Sequence, residues 1–95
     1  MRQIKSQLKD RIDQVLNSLS YPQKDYTLTP AKNIQYGDLS TNIALVLAQD
    51  LKTSPMDIAK DLVNEIVKYD VNNVINISVH KPGFINFEIS KIYFQ

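Results

Sequence analysis

The sequence predicts an α+β domain, a small antiparallel sheet with about three helices packed mainly on one face. Apolar residues recur at three- and four-residue steps through the first two thirds of the chain and at every second residue in the last third. The helical and extended segments do not alternate strictly, which disfavours a parallel βαβ sheet. At 95 residues there is room for a single core, so residues 1–95 are expected to form one domain.

The first helix is expected over residues 4–19. Ile4, Leu8, Ile12, Val15, Leu16 and Leu19 line one face, and Lys5, Lys9, Asp10, Arg11 and Asp13 occupy the others. Ser20-Tyr21-Pro22 ends it, because proline cannot continue a helix and biases the residue before it toward extended geometry. Tyr26-Thr27-Leu28-Thr29 is β-branched and aromatic enough for a short strand, closed by Pro30. Asn33-Ile34-Gln35-Tyr36-Gly37-Asp38 reads as a loop in which Gly37 can take positive φ. Asp38 or Ser40 is the expected N-cap of a second helix running to about Leu51, with Ile43, Ala44, Leu47 and Leu51 buried.

Ser54-Pro55-Met56-Asp57 opens a third helix with a capping serine, a proline at the first helical position and an acid in the first turn. Ile58, Ala59, Leu62, Val63, Ile66 and Val67 form its apolar face; Tyr69-Asp70 marks its end and Asn72-Asn73 a turn. Period two on both sides of Lys81-Pro82-Gly83 then reads as a β-hairpin. Ile75, Ile77 and Val79 share one face of it with Ile85, Phe87 and Ile89. Ser90 and Lys91-Ile92-Tyr93-Phe94-Gln95 look like the cap and opening turn of another helix. One turn does not hold itself as a helix, so the chain is expected to be a piece of a longer protein.

Composition excludes several classes. Hydrophobic residues are 43% and charged residues 22%, with only two glycines and four prolines, which is globular and not disordered or low-complexity. The apolar-rich stretch from Leu39 to Gln49 carries Ser40, Thr41 and Asn42 and falls short of the roughly 20 residues that span a bilayer. Met1-Arg2-Gln3-Ile4-Lys5 leads into alternating charge, so no export signal is expected, and the reading is of a cytoplasmic domain. The absence of cysteine removes disulfides, thiolate metal sites and cysteine nucleophiles. Net charge is +1, unevenly placed: residues 1–36 carry six basic and three acidic groups, residues 37–95 five and seven. A polyanionic partner must therefore be met locally.

Catalytic chemistry is sparse. His80 is the single histidine and has no second histidine or cysteine with which to hold a metal. No glycine-rich phosphate loop is possible with Gly37 and Gly83 alone. Asp57, Asp61 and Glu65 at four-residue spacing read as a solvated helix face. No catalytic residue, metal site or cofactor site is expected in this chain. The hairpin says more. If Ile85, Phe87 and Ile89 face the core, Phe84 and Asn86 share the opposite face with Ser78 and His80. A ring beside an amide suits an unstacked base, and Lys81 at the turn can neutralise a phosphate. Spacing alone leaves open, and favours, the other reading, in which Phe84 folds over the hairpin end into a satellite cluster. Gly37-Asp38-Leu39-Ser40-Thr41-Asn42 is the second dense polar cluster; it reads as an anion site at a helix N-terminus or, since Asp38 repels an anion, as helix capping.

In order and spacing, these segments resemble the N-terminal domain of arginyl-tRNA synthetase over nearly the whole chain. The resemblance rests on Gly37-Asp38-Leu39-Ser40-Thr41-Asn42-Ile43-Ala44, on Leu51-Lys52-Thr53-Ser54-Pro55 with Ile58-Ala59, and on Pro82-Gly83-Phe84-Ile85-Asn86-Phe87. Leu39 stands where that family usually has an aromatic residue, and Thr29-Pro30-Ala31-Lys32 loosely matches its proline-lysine turn. The resemblance implies a module that holds the outer corner of the tRNA for arginine and touches its D-loop, with the aromatic and amide positions, here Phe84 and Asn86, on an exposed D-loop base. It implies a parent enzyme, a class I arginine-tRNA ligase, that activates arginine with ATP and transfers it to the tRNA, with the catalytic domain of the same chain as partner. The His-x-Gly-His and Lys-Met-Ser-Lys type segments of that class are missing here, so these 95 residues are expected to be non-catalytic. The competing reading is a stand-alone protein-interaction domain using the sheet face around Phe84.

Overall fold

Three helices and a four-stranded sheet occupy residues 2–31, 37–69 and 74–89, the parts of the chain that this computed structural model describes. In order they are α1 (Arg2–Ser18), β1 (Leu28–Pro30), β2 (Leu39–Thr41), α2 (Ile43–Leu51), α3 (Pro55–Ile66), β3 (Val74–His80) and β4 (Phe84–Ile89). The strands run β1-β2-β4-β3 across the sheet and every neighbouring pair is antiparallel. The expected α+β architecture is the observed one.

Pleating sends alternate residues of β4 to opposite faces. Ile85, Phe87 and Ile89 point to the helices and are buried. The register sets Leu39 and Ile77 on either side of Phe87, and Thr41 and Val79 on either side of Ile85. Against this inner face pack Ile43, Ala44 and Leu47 of α2 and Ile58, Ala59, Leu62 and Ile66 of α3, with Ile4, Leu8, Ile12, Val15 and Leu16 of α1 completing one core. Helical periodicity thus identified most of the buried stripe of all three helices, while Leu19, Leu51 and Val63, placed on the same stripes, are only partly buried against it.

Several boundaries differ from expectation. The first helix stops at Ser18, and Ser20 takes the left-handed φ of 59° while the Tyr21 N–H reaches back to the Leu16 carbonyl at 2.8 Å. This Schellman-type ending turns the chain before Pro22 acts. Val67, placed on the apolar face of α3 by periodicity, lies just beyond its last residue and is 60% exposed. Ser54 occupies the N-cap position without a side-chain bond, and Pro55 begins the helix as expected. In β3 the register slips between Val74 and Asn76, so Val74 stands opposite Ile89 and the period-two pattern breaks there. Residues 32–36, 70–73 and 90–95, which include most of the expected loop, the Asn72-Asn73 turn and the C-terminal helix start, lie outside the described residues.

The main correction concerns residues 37–42, which neither open the second helix nor cap it through Asp38 or Ser40. Residues 39–41 are a strand, and α2 begins at Ile43. Gly37 has φ 115°, and a Cβ there would stand 2.9 Å from the Phe87 carbonyl oxygen. The Asp38 N–H donates to that carbonyl at 2.8 Å, and the Asp38 carboxylate accepts the Ile89 N–H at 2.7 Å. Thr41 Oγ1 accepts the Ile43 N–H at 3.3 Å, and Asn42 Oδ1 accepts the Thr27 N–H at 2.8 Å. Asp38 and Asn42 thus tie separate backbone segments together, Thr41 bonds locally at the start of α2, and Ser40 lies inside the strand.

Two predictions test this frame. Asp38→Ala should cost about 1.5–3 kcal/mol, the range for a hydrogen bond to a charged group, read by denaturant unfolding. Tyr26, which donates to the Asp13 carboxylate at 2.8 Å with Lys9 Nζ 4.9 Å from its ring, pins the 19–27 segment to α1. Burial first, and then the Asp13 carboxylate, push its phenol well above its ordinary value of 10.0. The folded state keeps this proton when the unfolded chain loses it, so the contribution is complete below pH 10.0 and declines as pH rises past it. Tyr26→Phe should lose about 1 kcal/mol at neutral pH and show a shallower decline in alkali.

Candidate nucleic-acid interface

The face of the sheet turned away from the helices carries the polar half of each strand. Thr29, Ser40, Asn86 and Ser78 are register partners in one row across β1, β2, β4 and β3. One step toward the hairpin end, Phe84 stands opposite His80. Thr29, Pro30, Ala31, Ser40, His80, Lys81, Phe84 and Asn86 together line a cavity of about 260 Å³. Its floor comes from the two central strands and its sides from the two edge strands.

Asn86 is the least ordinary of these residues. It is only 4% exposed, and its Oδ1 is buried with no hydrogen-bond partner. An unmet acceptor of this kind costs about 1–3 kcal/mol, so the pocket holds in reserve a bond that a ligand can complete. Phe84 beside it is half-buried, with ring surface available to the cavity. Lys81 is exposed at the rim. The hairpin end is fixed from behind: at Gly83, φ 155°, a Cβ would fall 2.6 Å from Pro55 Cβ, so only glycine lets the turn seat against the start of α3.

His80 Nε2 lies 2.9 Å from Ser78 Oγ. That separation also suits a nucleophile and its base. Opposite His80 stands Phe84, and the acid on this face of β4, Glu88, is opposite Asn76 on the far side of Ser78. The bond orients the ring. Among the described residues no group of three or more histidine, cysteine or acidic side chains is placed to hold a metal, and no helix is long and apolar enough to cross a membrane.

The three residues that sequence reasoning singled out, Phe84, Asn86 and Lys81, come together in this one cavity, with Ser78 and His80 on the expected face. Phe84 lines the cavity and is absent from the buried cluster. Sequence reasoning missed Ser40, Thr29 and Pro30. The local pattern reads Ser40 as a helix start, and nothing local signals that the three-residue strand β2 lies between β1 and β4. The residual signal was Leu39-Ser40-Thr41 itself, alternating apolar and polar beside β-branched threonine.

A half-buried ring, an unmet amide and a rim lysine, on an open sheet face backed by helices, define a small α+β domain with a polar cavity. Comparison with known proteins narrows the class. The family described as "Arginyl tRNA synthetase N terminal domain" matches residues 3–89. The arginine–tRNA ligase of Mycoplasmoides gallisepticum is 38% identical over 84 residues, 87% of this chain and 15% of the ligase. That of Ehrlichia ruminantium is 52% identical over 58 residues, 61% of this chain and 10% of the ligase. The crystal structure of arginyl-tRNA synthetase from Plasmodium falciparum has the same fold, with a TM-score of 0.73 at 20% identity over 97% of this chain and 16% of that one. This chain belongs to the arginyl-tRNA synthetase N-terminal domain family, and it spans a small part of the length of the ligases it matches.

If Asn86 is kept for binding and not for stability, Asn86→Leu should fold as well as the parent or better. A gain of up to about 1–3 kcal/mol in thermal or denaturant unfolding is expected, since the orphan acceptor is gone and the adjoining cavity accommodates the methyl groups. A clear loss of stability would assign the amide to the frame.

Proposed function

We propose that this domain is the tRNA-docking module of an arginine-tRNA ligase and that it receives an exposed base of the D-loop of the tRNA for arginine. Phe84 supplies the stacking surface, Asn86 the hydrogen bonds that match a base edge, and Lys81 a phosphate contact. The observation that carries this reading is the buried, unpartnered Asn86 Oδ1 in the cavity that Phe84 lines. An unstacked base offers what the cavity lacks, namely a flat face and an edge bearing both donors and acceptors. The family membership and the names of the relatives favour tRNA over other single-stranded nucleic acids.

In this reading the rest of the ligase, working in the cytoplasm, activates arginine with ATP and transfers it to the tRNA end. The catalytic domain is then the second partner. A net charge of +1 makes the domain's own affinity weak and salt-sensitive, with most phosphate contacts supplied elsewhere.

The test is an NMR titration of the labelled chain with an in vitro transcript of an arginine tRNA at low salt. Shifts should concentrate on residues 78–88 and on Ser40, and fade with a transcript whose exposed D-loop base is replaced. In the full-length ligase, Phe84→Ala should weaken tRNA use by about 1–3 kcal/mol, leave arginine activation unchanged and barely alter stability. Shifts spread evenly over the surface, or insensitive to the base replaced, would refute the docking site.

A further inference from the structure

The docking reading draws on Lys81 for its charge, yet the basic excess of the chain lies elsewhere, in residues 1–36, with six basic groups against three acids. The chain up to Lys9 contains Arg2, Lys5 and Lys9 and no acid. Lys5 and Lys9 stand one turn apart on α1, so their side chains share a face of the helix. With Ser6, Tyr26 and Leu28 they line a second cavity, of about 290 Å³.

The fold sets this cavity beside the first. β1 is an edge strand of the order β1-β2-β4-β3, and its residues alternate between the two faces. Leu28 packs toward the core on the helix side and lines the lysine cavity. Thr29 belongs to the polar row and lines the cavity of Phe84 and Asn86. The two cavities therefore lie on opposite sides of one edge strand. Three residues ending in a proline offer little to a pairing strand, so this edge is poorly suited to extending the sheet.

Resting on the docking reading above, we propose that the cavity of Lys5, Ser6 and Lys9 is a second tRNA contact, a seat for a backbone phosphate of the strand that leaves the base cavity over the β1 edge. A base held by Phe84 and Asn86 leaves its flanking nucleotides outside the first cavity, and the lysine pair waits on the other side of β1. Lys5 is half-buried and has no ion-pair or hydrogen-bond partner among the described residues. Lys9 Nζ is 3.5 Å from Asp13 Oδ2, an exposed pair of a kind worth about 0–1 kcal/mol, so a phosphate competes for this ammonium at little cost. The acids of this part of α1, Asp10 and Asp13, both follow Lys9, which leaves the Lys5 end of the cavity the more positive. Asp13 is also engaged by the Tyr26 hydroxyl at 2.8 Å, and that bond fixes the ring as a wall. Ser6 adds a hydroxyl donor between the two lysines.

Phosphate contacts carry no base information, and this separates the seat from the base cavity experimentally. The experiment measures Kd for the arginine tRNA transcript over a range of salt for wild type, Lys5→Gln, Lys9→Gln and the double variant. Lys60→Gln, an exposed lysine of α3, controls for charge lost anywhere on the domain. Each single variant should weaken binding about two- to fivefold at low salt and lower the salt slope by about 1, and the double variant by about 2. Lys60→Gln should move neither, and Lys5→Arg should restore wild-type binding. The lysine variants should lose the same factor with a transcript whose exposed D-loop base is replaced, whereas Phe84→Ala should weaken only the native transcript. Unfolding curves confirm that each variant is folded. Lys5→Gln removes no ion pair, so it stands as the test even if Lys9→Gln is destabilised by losing Asp13. Lysine variants that bind as wild type does, or lose no more than Lys60→Gln, overturn the phosphate seat. If Phe84→Ala still loses the native transcript, the docking reading then survives alone. Binding that needs the lysines but is indifferent to Phe84→Ala overturns the base site and keeps the seat. A wild-type chain that does not bind the transcript overturns both.

Discussion

The open face of this domain depends on one backbone clamp. Gly37 and Asp38 fasten the start of β2 to Phe87 and Ile89: one N–H bonds the Phe87 carbonyl, one carboxylate oxygen takes the Ile89 N–H, and the glycine removes the atom that would hold the segments apart. A three-residue strand has few ladder bonds with which to choose its register, and a slip of one residue would exchange the faces of Leu39 and Ser40. With the register held, Leu39 meets Phe87 inside and Ser40 meets Asn86 outside. Core and cavity are thus set by the same contacts.

Much of the frame was legible because burial imposes period. The stripes of α1, α2 and α3 and the alternation around Lys81-Pro82-Gly83 each repeat often enough to be read from one sequence. What stayed hidden was short or non-local. Residues 39–41 offer a single apolar–polar–β-branched step, and the competing helix signal from Asp38 and Ser40 is locally as good. The carboxylate of Asp38 was committed to Ile89, fifty-one residues away, and no window along the chain reports that. Similarly, Val67 continues a helical pattern whose helix has already ended.

The site was legible to a different degree. Alternation in β4 places Phe84 and Asn86 together whatever the rest of the fold does, because the pleat requires it. Whether Phe84 would be covered depended on the far side of the sheet, and here β1 and β2 supply small or uncharged residues that leave a cavity instead of filling it. The family resemblance pointed to the same pair from another direction. The walls, Thr29, Pro30 and Ser40, needed the strand order β1-β2-β4-β3, which no local signal contains.

On the docking proposal, the burial of Asn86 connects stability to recognition. Position 86 lies at the centre of the sheet, between β2 and β3, where an apolar side chain would be the stabler choice and where its neighbours in the row are hydroxyls that do not bond it. A buried amide without a partner persists in a small domain when the fold is determined elsewhere, here by the helix-side core and the Gly37–Asp38 clamp. Rigid strands on both sides hold the amide in place, so little ordering is left for the moment of binding. Under the docking proposal, a nearly neutral domain contributes selectivity to a polyanion complex in this way: stacking and edge pairing would depend on one base in one geometry, and few charges would be needed beside them.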